Sequence, residues 1–223
     1  MSTTTHVRQH NSLLAGAEKR TLIWIARRLP RWINSDHLSA LGLAAMAGAG
    51  ASFVLAGTDP VAGAILVVLC LLLNWFGDSL DGTVARVRNQ QRPRYGYYVD
   101  HVIDLAGTAF LFAGLAVSGY MSVTIATLVV AAFFLVSAES YLATHARGVF
   151  KMSFMGVGPT ELRILLAAGA IALIASPTVS PFGIGPVLLW DLGGVIGALG
   201  MLMTFVISST QNVRALYVEE TRR

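Results

Sequence analysis

Residues 78–104 read DSLDGTVARVRNQQRPRYGYYVDHVID and are flanked by the apolar runs VAGAILVVLCLLLNWFG (61–77) and LAGTAFLFAGLAVS (105–118). The stretch carries four carboxylates, Asp78, Asp81, Asp100 and Asp104. Asp78 and Asp81 stand three apart and Asp100 and Asp104 four apart, and on a helix either spacing puts the pair on one face. Both pairs therefore fall at the ends of membrane-spanning helices, with a basic connection between them. An ionisable group inside a membrane span is a functional candidate by default. Four of them need compensating positive charge, and bound divalent metal is a ready source.

The rest of the chain agrees with a membrane setting. Of 223 residues, 55% are hydrophobic and only 13% charged, where a soluble domain carries about 25% charged. Mean hydropathy is +0.65. The single cysteine, Cys70, lies in an apolar run and excludes an internal disulfide framework. The N-terminal sequence MSTTTHVRQHNS lacks an apolar core behind a basic start, so no cleaved signal peptide is expected. Net charge is +4, but the Lys and Arg residues cluster in the N-terminal arm, two internal loops and the C-terminus. That is the charge pattern of a membrane protein with one basic side, and no nucleic-acid partner is read from it.

Residues 1–11 are polar and are expected to lack order. In SLLAGAEKRTLIWIARRLPRWI (12–33), Leu22, Ile25 and Leu29 recur at helical spacing among Arg27, Arg28 and Arg31. This predicts an amphipathic helix lying in the membrane interface; a plain basic anchor is the simpler alternative. Six spans follow, at about 37–56, 61–85, 97–118, 121–146, 160–176 and 186–212, each near the ~20 residues a crossing helix needs. Loops 57–60, 119–121 and 177–185 carry no Lys or Arg, whereas 86–96, 147–159 and the tail do. Six spans with both termini inside put every basic residue on one side. The expected fold class is all-α and polytopic, with six transmembrane helices and an N-terminal interfacial helix. Its parts are an arm and interfacial helix (1–33), a six-helix catalytic domain (34–215) and a cytoplasmic tail (216–223). GLAAMAGAGAS in the first span and GGVIGALG in the last allow close helix approach, within the bundle or in a dimer.

In this topology the second span ends near Arg86 and the third runs back from Gly96. As antiparallel neighbours, the two helices would bring all four carboxylates to one depth near the cytoplasm. Such a set can hold two divalent ions, with Mg²⁺ favoured by hard oxygen ligands and Mn²⁺ also suited. A dinuclear centre with a basic rim suits pyrophosphate. Arg86 can meet phosphate, and Gly82 and Gly96 leave room for a ligand to approach backbone. The plain alternative pairs the aspartates with Arg86, Arg88, Arg92 and Arg94, but two same-face pairs on consecutive helices exceed what salt bridging needs.

The stretch resembles the signature of the CDP-alcohol phosphotransferase family, D-x2-D-G-x2-A-R, a spacer, then G-x3-D-x3-D. This chain has Asp78, Asp81, Gly82, Ala85 and Arg86, nine residues, then Gly96, Asp100 and Asp104. The spacer is nine where eight is commonest, a difference that falls in the loop. The resemblance implies that Asp78, Asp81, Asp100 and Asp104 hold two metals and that Asp104 is also the general base. It implies that Asp78, Gly82, Ala85, Arg86 and Gly96 form the CDP site. The implied reaction is displacement at the β-phosphorus of a CDP-linked alcohol with CMP leaving. Membrane lipids are the implied partners, and a homodimer is implied by resemblance alone.

A second polar cluster lies on the same side: Glu139, Tyr141, His145, Arg147 and Lys151 at the end of the fourth span, and Thr160, Glu161 and Arg163 at the start of the fifth. It is the candidate acceptor pocket. Pro159-Thr160-Glu161 is also an ordinary helix start. The basic residues suit a phosphorylated acceptor, the acids an amino alcohol. Asp191 reads as structural and Asp36 as a helix cap.

The leading expectation is an integral-membrane phospholipid-synthesis enzyme of a bacterial or archaeal plasma membrane, using CDP-diacylglycerol and a small alcohol. The alternative is a CDP-amino alcohol with diacylglycerol as acceptor. An intramembrane prenyltransferase, partly echoed by Asn74, needs acidic motifs on well-separated helices. A cation transporter would place its acids at the midplane rather than at one face.

Overall fold

The structure, a computed structural model, describes residues 7–9, 15–151, 158–183 and 185–221. Seven α-helices run through these residues: α1 (Ala15–Arg28), α2 (Ser35–Ala56), α3 (Pro60–Val87), α4 (Pro93–Ser118), α5 (Val123–Arg147), α6 (Pro159–Ala175) and α7 (Leu189–Thr221). The protein is an all-α polytopic membrane protein. Five of these helices, α2, α3, α4, α5 and α7, are long and apolar enough to cross a membrane. The sixth expected span is α6, with 17 residues, at the short end of the ~17–25 residues a crossing helix uses. The last helix does not stop at the expected end of its span but continues to Thr221.

The helix boundaries follow local chemistry. Asn34 caps α2 by accepting from the His37 N–H at 3.0 Å. Asp36, expected as that cap, lies one step inside the helix and pairs with Arg92 instead. Asp59 caps α3 through the Ala62 N–H at 3.0 Å, with Pro60 preset for the first turn. Gly119 (φ 78°) and Gly148 (φ 68°) end α4 and α5 in the left-handed conformation that glycine adopts without strain.

The arrangement around α2 departs from expectation. The sequence predicts that α3 and α4, the helices carrying the two acidic pairs, are direct neighbours. Instead α2 packs along both of them, and among the described residues α3 and α4 make no comparable packing with each other. Small residues cause this. A Cβ on Gly114 of α4 would collide with the backbone of Gly50 on α2, and one on Gly50 would strike the Phe110 carbonyl. The α2 and α4 backbones thus touch at a glycine pair. Beside it, Ala49, Phe53, Val67, Leu71, Leu111 and Leu115 form the centre of the apolar core. Gly193, Gly197 and Gly200 of α7 face outward by contrast, and only Gly194 in that run packs inside, against Met121 and Ile125.

The amphipathic α1 lays Leu22 and Ala26 on Leu80 and Val84 of α3. Its other face exposes Arg20, Trp24, Arg27 and Arg28, with the Arg28 guanidinium 4.0 Å from the Trp24 ring centre. The polar N-terminal arm is not wholly without structure: β1 (Val7–Gln9) pairs in parallel with β2 (Val149–Lys151) after α5. Backbone hydrogen bonds make this pairing, so composition carries no sign of it. Across the chain, β3 (Thr178–Val179) and β4 (Val187–Leu188) form a small antiparallel pair between α6 and α7. There Asp191 accepts from the Ser122 N–H at 2.7 Å, a structural contact.

Candidate active site

Each aspartate of the 78–104 stretch is set in a different environment. Asp78 and Asp81 lie in the last three turns of α3, and Asp100 and Asp104 in the first four turns of α4. Asp78 is half-buried and accepts from Nη2 of Arg163, on α6, at 2.5 Å. The same guanidinium gives its Nε to Asn74 Oδ1 at 2.7 Å, and Asn74 donates to the Gly42 carbonyl at 3.0 Å. One arginine therefore ties α6 to α3, and the asparagine beneath it ties α3 to α2.

Asp81 is held from α2. Ser39 Oγ donates to its Oδ2 at 2.6 Å, Ser35 Oγ donates to its carbonyl at 3.0 Å, and the Gly82 N–H donates to Oδ1. Asp100 stands beside His101, whose Nδ1 is 3.7 Å from Oδ2 and 2.7 Å from the Tyr97 carbonyl. Asp104 is the one exposed residue of the four, although charged groups from α3, α4 and α6 surround it. It lies within the field of Asp78, Asp100, Arg163 and Asp81.

The four carboxylates thus share one region, as the motif predicts, but they are not drawn into a tight group. Among the described residues no three His, Cys, Asp or Glu side chains are closed up as a metal-binding cluster. Like charges repel, and one cation that binds into this set is Arg163 at Asp78. The donor chemistry nevertheless suits a hard divalent cation, since two helices bring carboxylate oxygens to one region.

The remaining motif positions surround this region. Arg86 is exposed at the end of α3 and donates to Thr83 Oγ1 at 3.0 Å. A Cβ on Gly82 would come within 3.3 Å of the Arg86 guanidinium, while one on Gly96 would meet nothing within 4 Å. Gly96 therefore borders open space and Gly82 backs the arginine. Ala85 is half-buried on the same helix end. Arg88 serves the fold rather than the acidic region. Its guanidinium donates to the carbonyls of Leu29 (2.9 Å), Pro30 (3.1 Å) and Ile33 (2.5 Å), fastening the α1–α2 connection to the end of α3. Arg92, in the loop before α4, has its pKa raised by the hydrogen bond to Asp36.

The second polar cluster is divided by the fold. Arg163 joins the aspartates. Glu139 turns instead to α7, where Ser208 Oγ donates to one oxygen at 2.9 Å and Asn212 Nδ2 to the other at 2.6 Å. Arg147 joins this group by donating to Asn212 Oδ1 at 2.5 Å. Glu161 accepts from the Gly158 N–H at 3.0 Å, the contact of a helix start. Thr160 occupies the same first turn of α6, and His145 is exposed near the end of α5. The side chain of Lys151 lies outside the described residues.

Tyr141 turns toward α4. Its ring lies edge-on to His101 (4.7 Å between centres), and His101 stacks on Tyr97 at 4.0 Å. The sequence does not announce this aromatic group beside Asp100. Aromatic residues in an apolar helix give no sign of grouping until two helices are juxtaposed. Ser39 also escapes sequence reasoning, and Asn74 enters it only as a partial echo of another enzyme class. Both are polar residues inside apolar runs, the one signal that could have singled them out.

A solved structure described as Mycobacterium tuberculosis phosphatidylinositol phosphate synthase (PgsA1) with CDP-DAG bound is similar in fold. The two share 22% sequence identity at a TM-score of 0.53, over 89% of this chain and 92% of that one. No curated protein sequence matches. The profile of the CDP-alcohol phosphatidyltransferase family matches residues 34–206, which takes in all four aspartates and α2 through most of α7. The chain is a CDP-alcohol phosphotransferase of phospholipid biosynthesis and belongs to the CDP-alcohol phosphatidyltransferase family.

Proposed function

We propose that this enzyme takes CDP-diacylglycerol as donor and transfers its phosphatidyl group to a small alcohol, releasing CMP. The carrying observation is Asp104, an exposed aspartate at the last position of the family motif, set among Asp78, Asp81, Asp100 and Arg163. In this reading Asp104 takes the proton of the acceptor hydroxyl. The acceptor oxygen forms the new bond to the β-phosphorus, the bond from that phosphorus to CMP breaks, and CMP leaves with the electron pair.

Asp78, Asp81, Asp100 and Asp104 are the residues that would hold two divalent ions, Mg²⁺ or Mn²⁺. Bound there, such ions supply charge stabilisation to phosphate oxygens. Arg86 is assigned to the donor phosphate, and Gly82, Ala85 and Gly96 to the approach of the CDP moiety. Arg163, already inside the acidic region, is the strongest of the acceptor candidates, since a guanidinium suits a phosphorylated alcohol. His145, Arg147, Lys151 and Thr160 are secondary candidates. Glu139 and Glu161 are weaker ones, because other groups of the fold hold their carboxylates. The charge distribution supports a cytoplasmic centre with six crossings, and a bacterial or archaeal plasma membrane is the proposed setting. Homodimerisation is carried over from the family alone.

One observation favours a second reading. Tyr97, His101 and Tyr141 form an aromatic wall beside Asp100. Aromatic faces with a nearby carboxylate suit an ammonium group, which would make the donor a CDP-amino alcohol and the acceptor diacylglycerol. The test is an acceptor panel in liposomes with labelled CDP-diacylglycerol or CDP-choline, scoring CMP and lipid product. CMP release with CDP-diacylglycerol and a polar alcohol supports the first reading. Release only with CDP-choline and diacylglycerol replaces it with the second.

A further inference from the structure

Asp81 receives protein donors at three of its oxygens, and two of those donors come from α2. The Gly82 N–H serves Oδ1, Ser39 Oγ serves Oδ2 at 2.6 Å, and Ser35 Oγ serves the carbonyl at 3.0 Å. A serine hydroxyl has one proton to give. Ser39 has two acceptors in range, the Ser35 carbonyl at 3.1 Å, which is the usual back-bond of a helical serine, and the Asp81 carboxylate at 2.6 Å. The shorter, charge-assisted contact is the stronger one. Ser39 is buried, next to Leu38 and within reach of α3, so water competes little for this proton.

Close helix packing makes so short a side chain sufficient. A Cβ on Gly77 would lie 2.5 Å from the Leu38 carbonyl, so the α2 and α3 backbones touch one turn from Asp81. Arg88 fastens the residues just before α2 to the end of the same helix. The start of α2 is therefore attached to α3 on both sides of Asp81, and the position of Ser39 is set by packing rather than by its own rotamer.

We propose that Ser39 is a positioning residue for Asp81. Its hydroxyl fixes one carboxylate oxygen from the neighbouring helix while the Gly82 N–H holds the other, so that the carboxylate keeps a single orientation at the edge of the acidic centre. The role rests on the reading of Asp81 as a metal-holding residue. Donors that orient a metal-holding group typically change metal affinity about 10–100-fold when removed.

The test uses the full chain in detergent or nanodiscs with Mn²⁺ as the probe and no donor present, reading free Mn²⁺ by electron paramagnetic resonance. Ser39→Ala is expected to weaken Mn²⁺ binding about 10-fold, and Ser39→Thr to restore it to within about twofold of wild type, since the hydroxyl returns. Ser39→Val, which has the shape of threonine without its hydroxyl, should behave as alanine does. The Thr and Val pair keeps the comparison valid if the alanine variant folds poorly. Ser35→Ala removes a bond to the Asp81 backbone rather than to its carboxylate, and should lower thermal stability without weakening Mn²⁺. Wild-type Mn²⁺ affinity in Ser39→Ala, or equal affinities in Ser39→Thr and Ser39→Val, would overturn the role of Ser39 alone. A wild-type protein that binds no Mn²⁺ would overturn the metal reading together with it, and would leave donor turnover as a separate question.

Discussion

Glu139 on α5 and the aspartates of α3 and α4 are carboxylates set in apolar helices of one bundle, yet the fold treats them in opposite ways. Glu139 is buried and both of its oxygens accept from α7, through Ser208 and Asn212. Its partners are neutral, uncharged donors supplied by a single facing helix. The aspartates are half-buried or open, they are gathered where like charges oppose one another, and Arg163 compensates at Asp78. A carboxylate whose hydrogen bonds the protein itself completes fastens helices together. Carboxylates that share one region despite their mutual repulsion are the ones proposed here to receive a ligand.

The sharpest way to break this contrast is Asp104→Asn. As the proposed general base, Asp104 should account for about 10²–10⁴-fold of the rate, so CMP release should fall by that factor while the variant still binds the CDP-alcohol. Substantial turnover would remove Asp104 from that role. Asp81→Asn comes next: the Mg²⁺ concentration for half-maximal activity should rise by at least the ~10–100-fold typical of losing an outer-shell contact. An unchanged Mg²⁺ dependence would sink the assignment of Asp81 as a metal-holding residue.

Arg163→Ala removes the cation from Asp78 and the donor from Asn74. Hydrogen bonds to charged groups are worth about 1.5–3 kcal/mol, so thermal unfolding in detergent should move down by a corresponding amount. Arg163→Lys should fall between the two, because lysine keeps the charge but not the fork that reaches both partners. Equal melting of all three forms would show that the contact with Asp78 carries little of the fold. The smallest effect on activity is expected from Glu139→Gln. It turns one accepting oxygen into an amide donor facing Ser208 or Asn212, at a cost of about 1–3 kcal/mol in stability, with CMP release within about threefold of wild type once folded. Loss of turnover in a folded Glu139→Gln protein would place Glu139 with the aspartates and erase the contrast.

Much of this was legible from spacing. The helical period of the apolar runs announces the spans, and three- and four-residue spacings announce that each acidic pair shares a face. Eight motif positions, from Asp78 to Asp104, announce the family. The acceptor cluster was legible only as composition. Glu139, Arg147, Glu161 and Arg163 look alike in the chain, all being charged residues near one end of two consecutive spans. The fold sends Arg163 to Asp78, Glu139 and Arg147 to α7, and Glu161 to its own helix start.

The sequence by itself determined the solvent this protein folds in, the helices it forms and the type of chemistry at residues 78–104. These depend on local period, charge placement and motif spacing, all of which are properties of neighbouring residues. Only the tertiary structure decided that α2 packs along both motif helices, because that follows from Gly50 meeting Gly114 and Gly77 meeting Leu38, residues far apart in sequence. Only the tertiary structure brought Ser39 to Asp81, Arg163 to Asp78 and Tyr141 to His101. A side chain's partner is set by which backbones come close enough to touch, and no spacing along one helix encodes that.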